Sequence, residues 1–195
     1  MRNTAIYQTL EDRGNYDEVE SHGPYFCSAI DSKGNQKSGI KIPWAGEGYY
    51  FWDSLIEDAH WWGKVSYKNY GNEYIIGQTF YDSHSPLMFD TLGDIGAYRQ
   101  IEECAVLLKE KKALSSVTLP MVLEILKCSK GFNYKAIRIH PDPIRLVSQS
   151  NILFPSNKFV LNRISRVQIC FFDKTLLTNP FKVVYKSSLP KNYTI

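Results

Sequence analysis

The segment that most constrains the fold is Gly46–Trp52, where two glycines separated by one residue precede four consecutive aromatic residues. The glycines permit a sharp turn and a close backbone approach, and the aromatic run favours a strand. Because side chains alternate along a strand, Tyr50 and Trp52 share one face, and Tyr49 and Phe51 share the other. We expect one pair to enter the core and the other to line a ligand site. An alternative, in which all four rings serve only as core residues, fits the same pattern.

A short helix is predicted directly after this strand. Ser54 and Glu57 have the spacing of a capping box, and Gly63 suits the position just past a helix end. The apolar residues between them recur at helical spacing. A glycine loop, a strand and a helix are therefore expected in quick succession.

The rest of the chain predicts further strands and one pair of helices. The strands are expected over 4–9, 24–30, 72–80, 87–89, 134–139, 165–172 and 181–185, with an exposed loop over 31–39. The helices are expected over about 92–112 and 118–128, as an inserted hairpin over about 92–128. The apolar stripe of the first helix is predicted to comprise Ile95, Tyr98, Ile101, Ala105 and Leu108. This order predicts an α+β fold with a mixed, mostly antiparallel sheet.

Composition narrows the function classes. With 195 residues, of which 44% are hydrophobic and 22% charged, the chain suits a single globular domain over 1–195. A formal net charge of +3 does not by itself indicate a nucleic-acid-binding protein. The first residues lack the apolar region of a signal peptide, and no apolar run is long enough to span a membrane. We expect a cytoplasmic protein, or one delivered as a soluble effector, with no membrane partner.

The cysteines and histidines do not predict a metal site. Cys27, Cys104, Cys128 and Cys170 are far apart and form no C-x-x-C pair, and the four histidines are equally dispersed. We therefore expect neither a bound metal nor a dithiol redox centre.

The segment Lys64–Tyr70 alternates basic with aromatic residues. Such interleaving is found in proteins that bind single-stranded nucleic acid, but it is also typical of a solvated loop after a helix. Both interpretations stay open at this point.

These features together resemble the ADP-ribosyltransferase-like superfamily, in the branch of diphtheria-type toxins, poly-ADP-ribose polymerases and small bacterial toxin-like relatives. That branch has a histidine on a first strand, a tyrosine in a Gly-x-Gly-x-Tyr-Phe strand that leads into a helix, and a glutamate on a late strand. Gly46-Glu47-Gly48-Tyr49-Tyr50-Phe51 matches the second motif at every specified position. The resemblance implies a split β-sheet of ADP-ribosyltransferase type, NAD as substrate, and a Tyr50 ring stacked on nicotinamide.

The other two motifs depart from the family pattern. Gln8 occupies the histidine position in Ile6-Tyr7-Gln8-Thr9, and Gln168 occupies the glutamate position. The resemblance implies that the cofactor-binding residues are Gln8, Gly46, Gly48, Tyr50 and Trp52. It also implies that Tyr50 and Gln168 are the catalytic residues. A neutral amide stabilises an oxocarbenium-like ribose much less than a carboxylate does.

Three functions follow as expectations. The first is transfer of ADP-ribose from NAD to an unknown protein or nucleic-acid acceptor, or hydrolysis of NAD. The second is a catalytically degenerate domain that binds NAD, ADP-ribose or a partner. The third is nucleic-acid binding through Lys64–Tyr70.

Overall fold

The structure, a computed structural model, describes residues 3–31, 33, 35–37, 43–112, 116–140, 151–153, 160–162 and 166–187. The helices are α1 (Tyr16–His22), α2 (Ile56–Ser66), α3 (Ile95–Lys112) and α4 (Leu119–Lys127), with a 3₁₀ turn over Lys68–Tyr70. The strands are β1 (Asn3–Glu11), β2 (Tyr49–Asp53), β3 (Tyr74–Asp82), β4 (Met88–Asp90), β5 (Ala136–Ile139), β6 (Asn151–Leu153), β7 (Val160–Asn162), β8 (Gln168–Phe171) and β9 (Lys182–Lys186). Of the loop predicted over 31–39, only residues 31, 33 and 35–37 are among those described.

Seven strands form one open sheet in the order β4-β5-β8-β2-β1-β3-β9, and β6 pairs with β7 separately. All neighbours in the large sheet are antiparallel except β4 and β5, which are parallel. The predicted α+β class with a mixed, mostly antiparallel sheet is confirmed. Within the described ranges, no helix is both long enough and apolar enough to cross a bilayer.

The helical pair α3 and α4 connects the two parallel strands. Parallel neighbours cannot be joined by a tight turn and need a long crossover, which explains why helices are inserted at this point of the chain. The predicted apolar stripe of α3 is wrong at its start, because Ile95 and Tyr98 are exposed while Ala97 and Leu108 are buried. The buried residues also recur at helical spacing, so periodicity alone does not select between the two stripes.

The two faces of β2 enter different parts of the core. Phe51 is buried in a cluster with Ile6 and Phe171, and Tyr49 packs at its edge. On the other face, Tyr50 packs against a cluster covered by α3 and α4, whereas Trp52 belongs to a cluster covered by α2. The predicted alternation of the four rings is confirmed, and one face of β2 spans the junction of two clusters.

Strands β1 and β2 pair only where they first meet. Their register comprises Ile6 with Asp53 and Tyr7 with Trp52, whereas β1 pairs with β3 along its whole length. The strand predicted over 24–30 is not formed. Instead, the polar residues before it form α1, and the segment 24–27 lies beside the diverging strands, with a single bridge between Cys27 and Gly48. Tyr25 and Phe26 are exposed, and the error arises because strand propensity alone does not form a strand where no neighbouring strand continues the pairing.

A partly buried ionic cluster stabilises the face of β2 opposite Tyr50 and Trp52. Arg138 donates from Nε to Asp53 Oδ2 at 2.7 Å and pairs with Asp90 at 3.2 Å. Tyr81 and Ser54 donate to the other oxygen of Asp53. Burial alone would lower the pKa of Arg138, but the hydrogen bond and charge of Asp53 raise it above its ordinary value. This cluster joins β2, β4 and β5 and neutralises the Asp53 carboxylate.

The start and the end of α2 differ from the prediction. Ser54 has a φ of +63°, and the helix begins after Leu55 without a side-chain cap, so no capping box forms. Gly63 lies inside the helix, which continues to Ser66. A Cβ built at Gly63 would lie 2.4 Å from the Tyr74 ring, so glycine is required here by the close approach of α2 to β3.

We predict that Gly63→Ala destabilises the protein, although alanine normally stabilises a helix interior by about 1 kcal/mol relative to glycine. The Tyr74 ring is buried and its hydroxyl is hydrogen-bonded to His60 at 3.0 Å. The ring therefore cannot move away from a new methyl group without a cost in stability. Overpacking of this kind costs about 1–3 kcal/mol. Urea unfolding measures the difference in free energy of unfolding.

Gly96→Ala in α3 is the matched control. The nearest atom to a Cβ there is Asp94 Oδ1 at 3.0 Å, the end of an exposed side chain that also accepts from the Gly96 amide at 2.7 Å. Because this contact is relieved by a shift of a few tenths of an ångström, we expect a much smaller loss of stability than at Gly63. Equal effects at the two positions would contradict the role assigned to the Tyr74 contact.

Candidate functional site

A cavity of about 550 Å³ opens where β1 and β2 diverge. Most of its lining is aromatic: β2 contributes Tyr50, Phe51 and Trp52, the chain before β2 contributes Tyr25, Phe26 and Trp44, and α2 and its end contribute Trp62 and Tyr67. The remaining lining residues are Gln8, Thr9, Leu10, Cys27, Pro43 and Gln168. Its volume lies in the range of pockets that enclose small organic ligands.

Four of the predicted site residues thus meet at one cavity: Gln8, Tyr50, Trp52 and Gln168. The sheet explains their meeting. Strand β2 lies between β1 and β8, and Trp52 is directly opposite Gln168 while Tyr50 is opposite Cys170. Residues opposite each other on one face of an antiparallel pair have neighbouring side chains.

Gly46 and Gly48, which the resemblance places among the cofactor-binding residues, are not among the residues that line the cavity. Gly46 adopts a φ of +82° and is buried, which lets the chain turn into β2. Gly48 packs against β8 so closely that a Cβ would lie 2.4 Å from Cys170 Sγ. The glycines therefore shape the turn and the packing of β2, and the residues before them, Pro43 and Trp44, reach the cavity.

Tyr50 contributes its ring to the cavity and its hydroxyl to the loop. The hydroxyl donates to Gly46 O at 2.6 Å and accepts from the Ala45 amide at 3.0 Å. Burial, with the neighbouring Cys170 thiol, raises the pKa of Tyr50 well above its ordinary value, so the hydroxyl stays protonated. Tyr50 thereby holds the turn that carries Trp44.

Gln8 is fully engaged by the main chain. Its Oε1 accepts from the Tyr25 amide at 2.8 Å, and its Nε2 donates to Tyr25 O at 2.9 Å and to Tyr50 O at 3.3 Å. A glutamine amide has two N–H donors, and both are used here. The side chain therefore takes the place of main-chain pairing between β1 and β2. Neither N–H of its amide remains to donate to the cofactor that the resemblance assigns to Gln8.

Within the described residues, the Gln168 side chain makes one hydrogen bond. Trp44 Nε1 donates to Gln168 Oε1 at 2.7 Å, which joins the loop before β2 to β8. Among the residues that the structure describes, no acceptor is found for Gln168 Nε2, and no side-chain polar atom is both buried and without a partner. Gln168 Nε2 is therefore open to a ligand.

Trp52 and Trp62 line the cavity, and Trp61 packs beside both of them. The Trp52 ring lies 6.0 Å from those of Trp61 and Trp62, and the Arg166 guanidinium lies 4.4 Å from the Trp61 ring centroid. Trp52 is buried, whereas 40% of Trp62 is exposed. Trp62 is thus a ring that a ligand can cover.

The described lining contains no Asp, Glu, Lys, Arg or His side chain. Cys27 is its one thiol within those residues, and although Cys27 is partly exposed, desolvation raises the pKa of its thiol above the ordinary value. A thiol with a raised pKa is a poor nucleophile at neutral pH. Across the described ranges, His, Cys, Asp and Glu side chains form no group of three suited to a metal ion.

The segment Lys64–Tyr70 is not a loop, because α2 continues to Ser66 and a 3₁₀ turn follows. Lys68 pairs with Glu73 at 3.6 Å, and Tyr70 is 79% exposed. Tyr67, Tyr25 and Phe26 also line the cavity, and sequence reasoning missed all three. Their aromatic character was the available signal, but nothing local in the sequence connects them to β2.

Comparisons with protein-family models, with curated proteins and with solved structures find no match to this chain.

We predict that Gln8→Glu destabilises the protein at neutral pH by about 1–3 kcal/mol, the cost of leaving buried polar groups unpaired. A carboxylate cannot donate to Tyr25 O or Tyr50 O, so the folded state favours the protonated form and raises the pKa of the new carboxyl group. A protonated carboxyl has one O–H donor for the two carbonyls, so part of the loss persists even at low pH. The pH-dependent part should vanish below the unfolded-state pKa of about 4.3 and grow as pH rises through the folded-state pKa. Urea unfolding over a range of pH measures it.

Gln78→Glu is the matched control on β3. Gln78 Nε2 donates to the Tyr7 hydroxyl at 3.2 Å, and that hydroxyl is able to reverse and donate to a carboxylate. We expect a smaller loss with little pH dependence. If both variants behave alike, Gln8 does not act as a main-chain substitute.

Proposed function

We propose that this protein is a nucleotide-binding domain that holds a flat ring in its aromatic cavity, with NAD as the ligand to test first, and that it does not transfer ADP-ribose. The observation that carries the proposal is the adjacency of β8, β2 and β1, which brings Tyr50, Trp52 and Gln168 to one cavity. These are the three strands on which the ADP-ribosyltransferase-like pattern has its motifs.

The shape and chemistry of the cavity favour a planar ligand. Rings of Tyr50, Trp44 and Trp62 offer flat surfaces, and each base or nicotinamide ring has faces that stack on them. Because no cation lines the described cavity, the diphosphate of a dinucleotide would remain at its opening in water. The cavity volume of about 550 Å³ suits one ring with its ribose better than a whole dinucleotide.

The absence of a suitable anion among the described lining residues argues against glycosyl transfer. A ribose that becomes oxocarbenium-like needs a negative charge beside it, and Gln168 supplies only a neutral amide. Asp53, the buried carboxylate of β2, extends from the opposite face of the strand and is already paired with Arg138. Binding without chemistry therefore fits the site better than transfer or hydrolysis.

We predict that NAD quenches the tryptophan fluorescence saturably and that Trp62→Ala weakens binding by about 1–3 kcal/mol, the scale of one stacking contact. Trp62 is the better test than Tyr50, because Tyr50 also holds the loop through its hydroxyl. Tyr70→Ala, which removes an exposed ring outside the cavity, is the control and should leave affinity unchanged. Isothermal titration calorimetry checks the affinities independently of fluorescence.

A nicotinamide-release assay on the same protein separates binding from chemistry. We expect no release above the rate without protein, with or without cell lysate as a source of acceptors. Release that depends on Gln168 would establish the enzymatic alternative. A wild-type protein with no response to NAD or ADP-ribose would refute the proposed function.

A further inference from the structure

The orientation of the Gln168 amide is determined by chemistry. An indole N–H can only donate a hydrogen bond, so the Gln168 atom 2.7 Å from Trp44 Nε1 must be the amide oxygen. The usual ambiguity between the oxygen and nitrogen of a glutamine therefore does not arise here. With the oxygen turned to Trp44, the nitrogen faces away from it.

The free side of Gln168 consequently offers hydrogen-bond donors only. In the described part of the chain no residue accepts from its Nε2. That atom is not among the buried polar atoms that lack a partner, so it is accessible to solvent. Gln8, the other amide at the cavity, donates both of its N–H groups, to Tyr25 O and to Tyr50 O. The lining hydroxyl of Thr9 is likewise engaged, since it donates to Ala59 O at 2.9 Å.

We propose that Gln168, oriented by Trp44, is a specificity-determining residue that selects rings carrying an uncharged hydrogen-bond acceptor at their edge. The inference rests on the proposed function and names the ligand class of the same site. A carboxamide or ring carbonyl oxygen accepts from Nε2, whereas a ring edge that carries only N–H donors meets Nε2 with donor against donor. A ligand that leaves a desolvated donor unpaired binds more weakly, because the desolvation of that donor is not compensated. Sites of this kind therefore discriminate between ligands.

Benzamide and benzamidine provide a matched pair of probes. Both are a benzene ring with a planar substituent of the same size, but benzamide presents a carbonyl oxygen where protonated benzamidine presents a second nitrogen donor. We expect wild-type protein to bind benzamide about tenfold more tightly than benzamidine, the equivalent of one hydrogen bond. Ligand-observed NMR titration measures both affinities, with NAD titrated alongside.

Gln168→Glu should reverse this preference. The new carboxylate still accepts from Trp44 Nε1 but has only acceptors to offer, so benzamidine should become the tighter ligand. Gln100→Glu makes the same change at an exposed position on α3, outside the cavity, and controls for the added charge. Its preference should stay that of the wild type.

Two further variants keep the test decisive if the carboxylate impairs folding. Gln168→Leu removes the donors without adding charge, and Trp44→Phe keeps a ring but removes the N–H that orients the amide. Each should lower the ratio of benzamide affinity to benzamidine affinity, leaving only the difference that the positive charge of benzamidine causes by itself. A residue that only supports the fold would change both affinities in proportion and leave their ratio unaltered.

The outcomes distinguish this inference from the proposed function. If NAD binds and the benzamide-to-benzamidine ratio is the same in wild type, Gln168→Glu and Gln168→Leu, the specificity role is refuted while ring binding stands. If wild-type protein binds neither NAD nor either probe, both proposals fall. Reversal by Gln168→Glu together with loss of preference in Trp44→Phe would establish the role.

Discussion

The hydrogen bonding of Gln8 to the main chain is the interaction on which the site depends. Where two antiparallel strands diverge, their main-chain amides and carbonyls lose their partners. Such unpaired groups cost free energy once they are buried. The amide of one glutamine has the same donors and acceptor as a peptide group, and Gln8 uses them on Tyr25 and Tyr50. Because this one side chain pairs with main-chain groups of Tyr25 and Tyr50, β1 and β2 can separate without leaving those groups unpaired in the interior.

The cavity is the space that this separation creates. On the opposite face of the sheet, the Arg138 cluster links β2 to β4 and β5. On the other side, two hydrophobic clusters meet beneath different helices, and Tyr50 and Trp52 lie at their boundary. A continuous core would have filled this position. The aromatic residues instead surround an opening, and a hydrogen bond joins two of its lining residues, Trp44 and Gln168.

Sequence reasoning succeeded where structure is local. Alternation along β2 follows from the period of a strand, and it correctly assigned Tyr50 and Trp52 to one face. It failed at Gly63 because a helix-ending residue and a residue required by a close contact look the same in sequence. It also failed for Tyr25 and Tyr67, since their approach to β2 depends on chain separations that no local pattern encodes. The mostly antiparallel sheet was predictable, whereas the divergence of β1 and β2 was not.

The position of β8 has a consequence for biogenesis. This strand lies between β5 and β2 in the middle of the sheet, although it is among the last elements along the chain. While the chain is being synthesised, β2 and β5 must wait with open edges until β8 emerges from the ribosome and joins them. Exposed edges invite pairing with other chains, and contacts between distant segments form slowly. Nascent chains that stall before β8 would therefore present two unpaired strand edges as binding surfaces for chaperones.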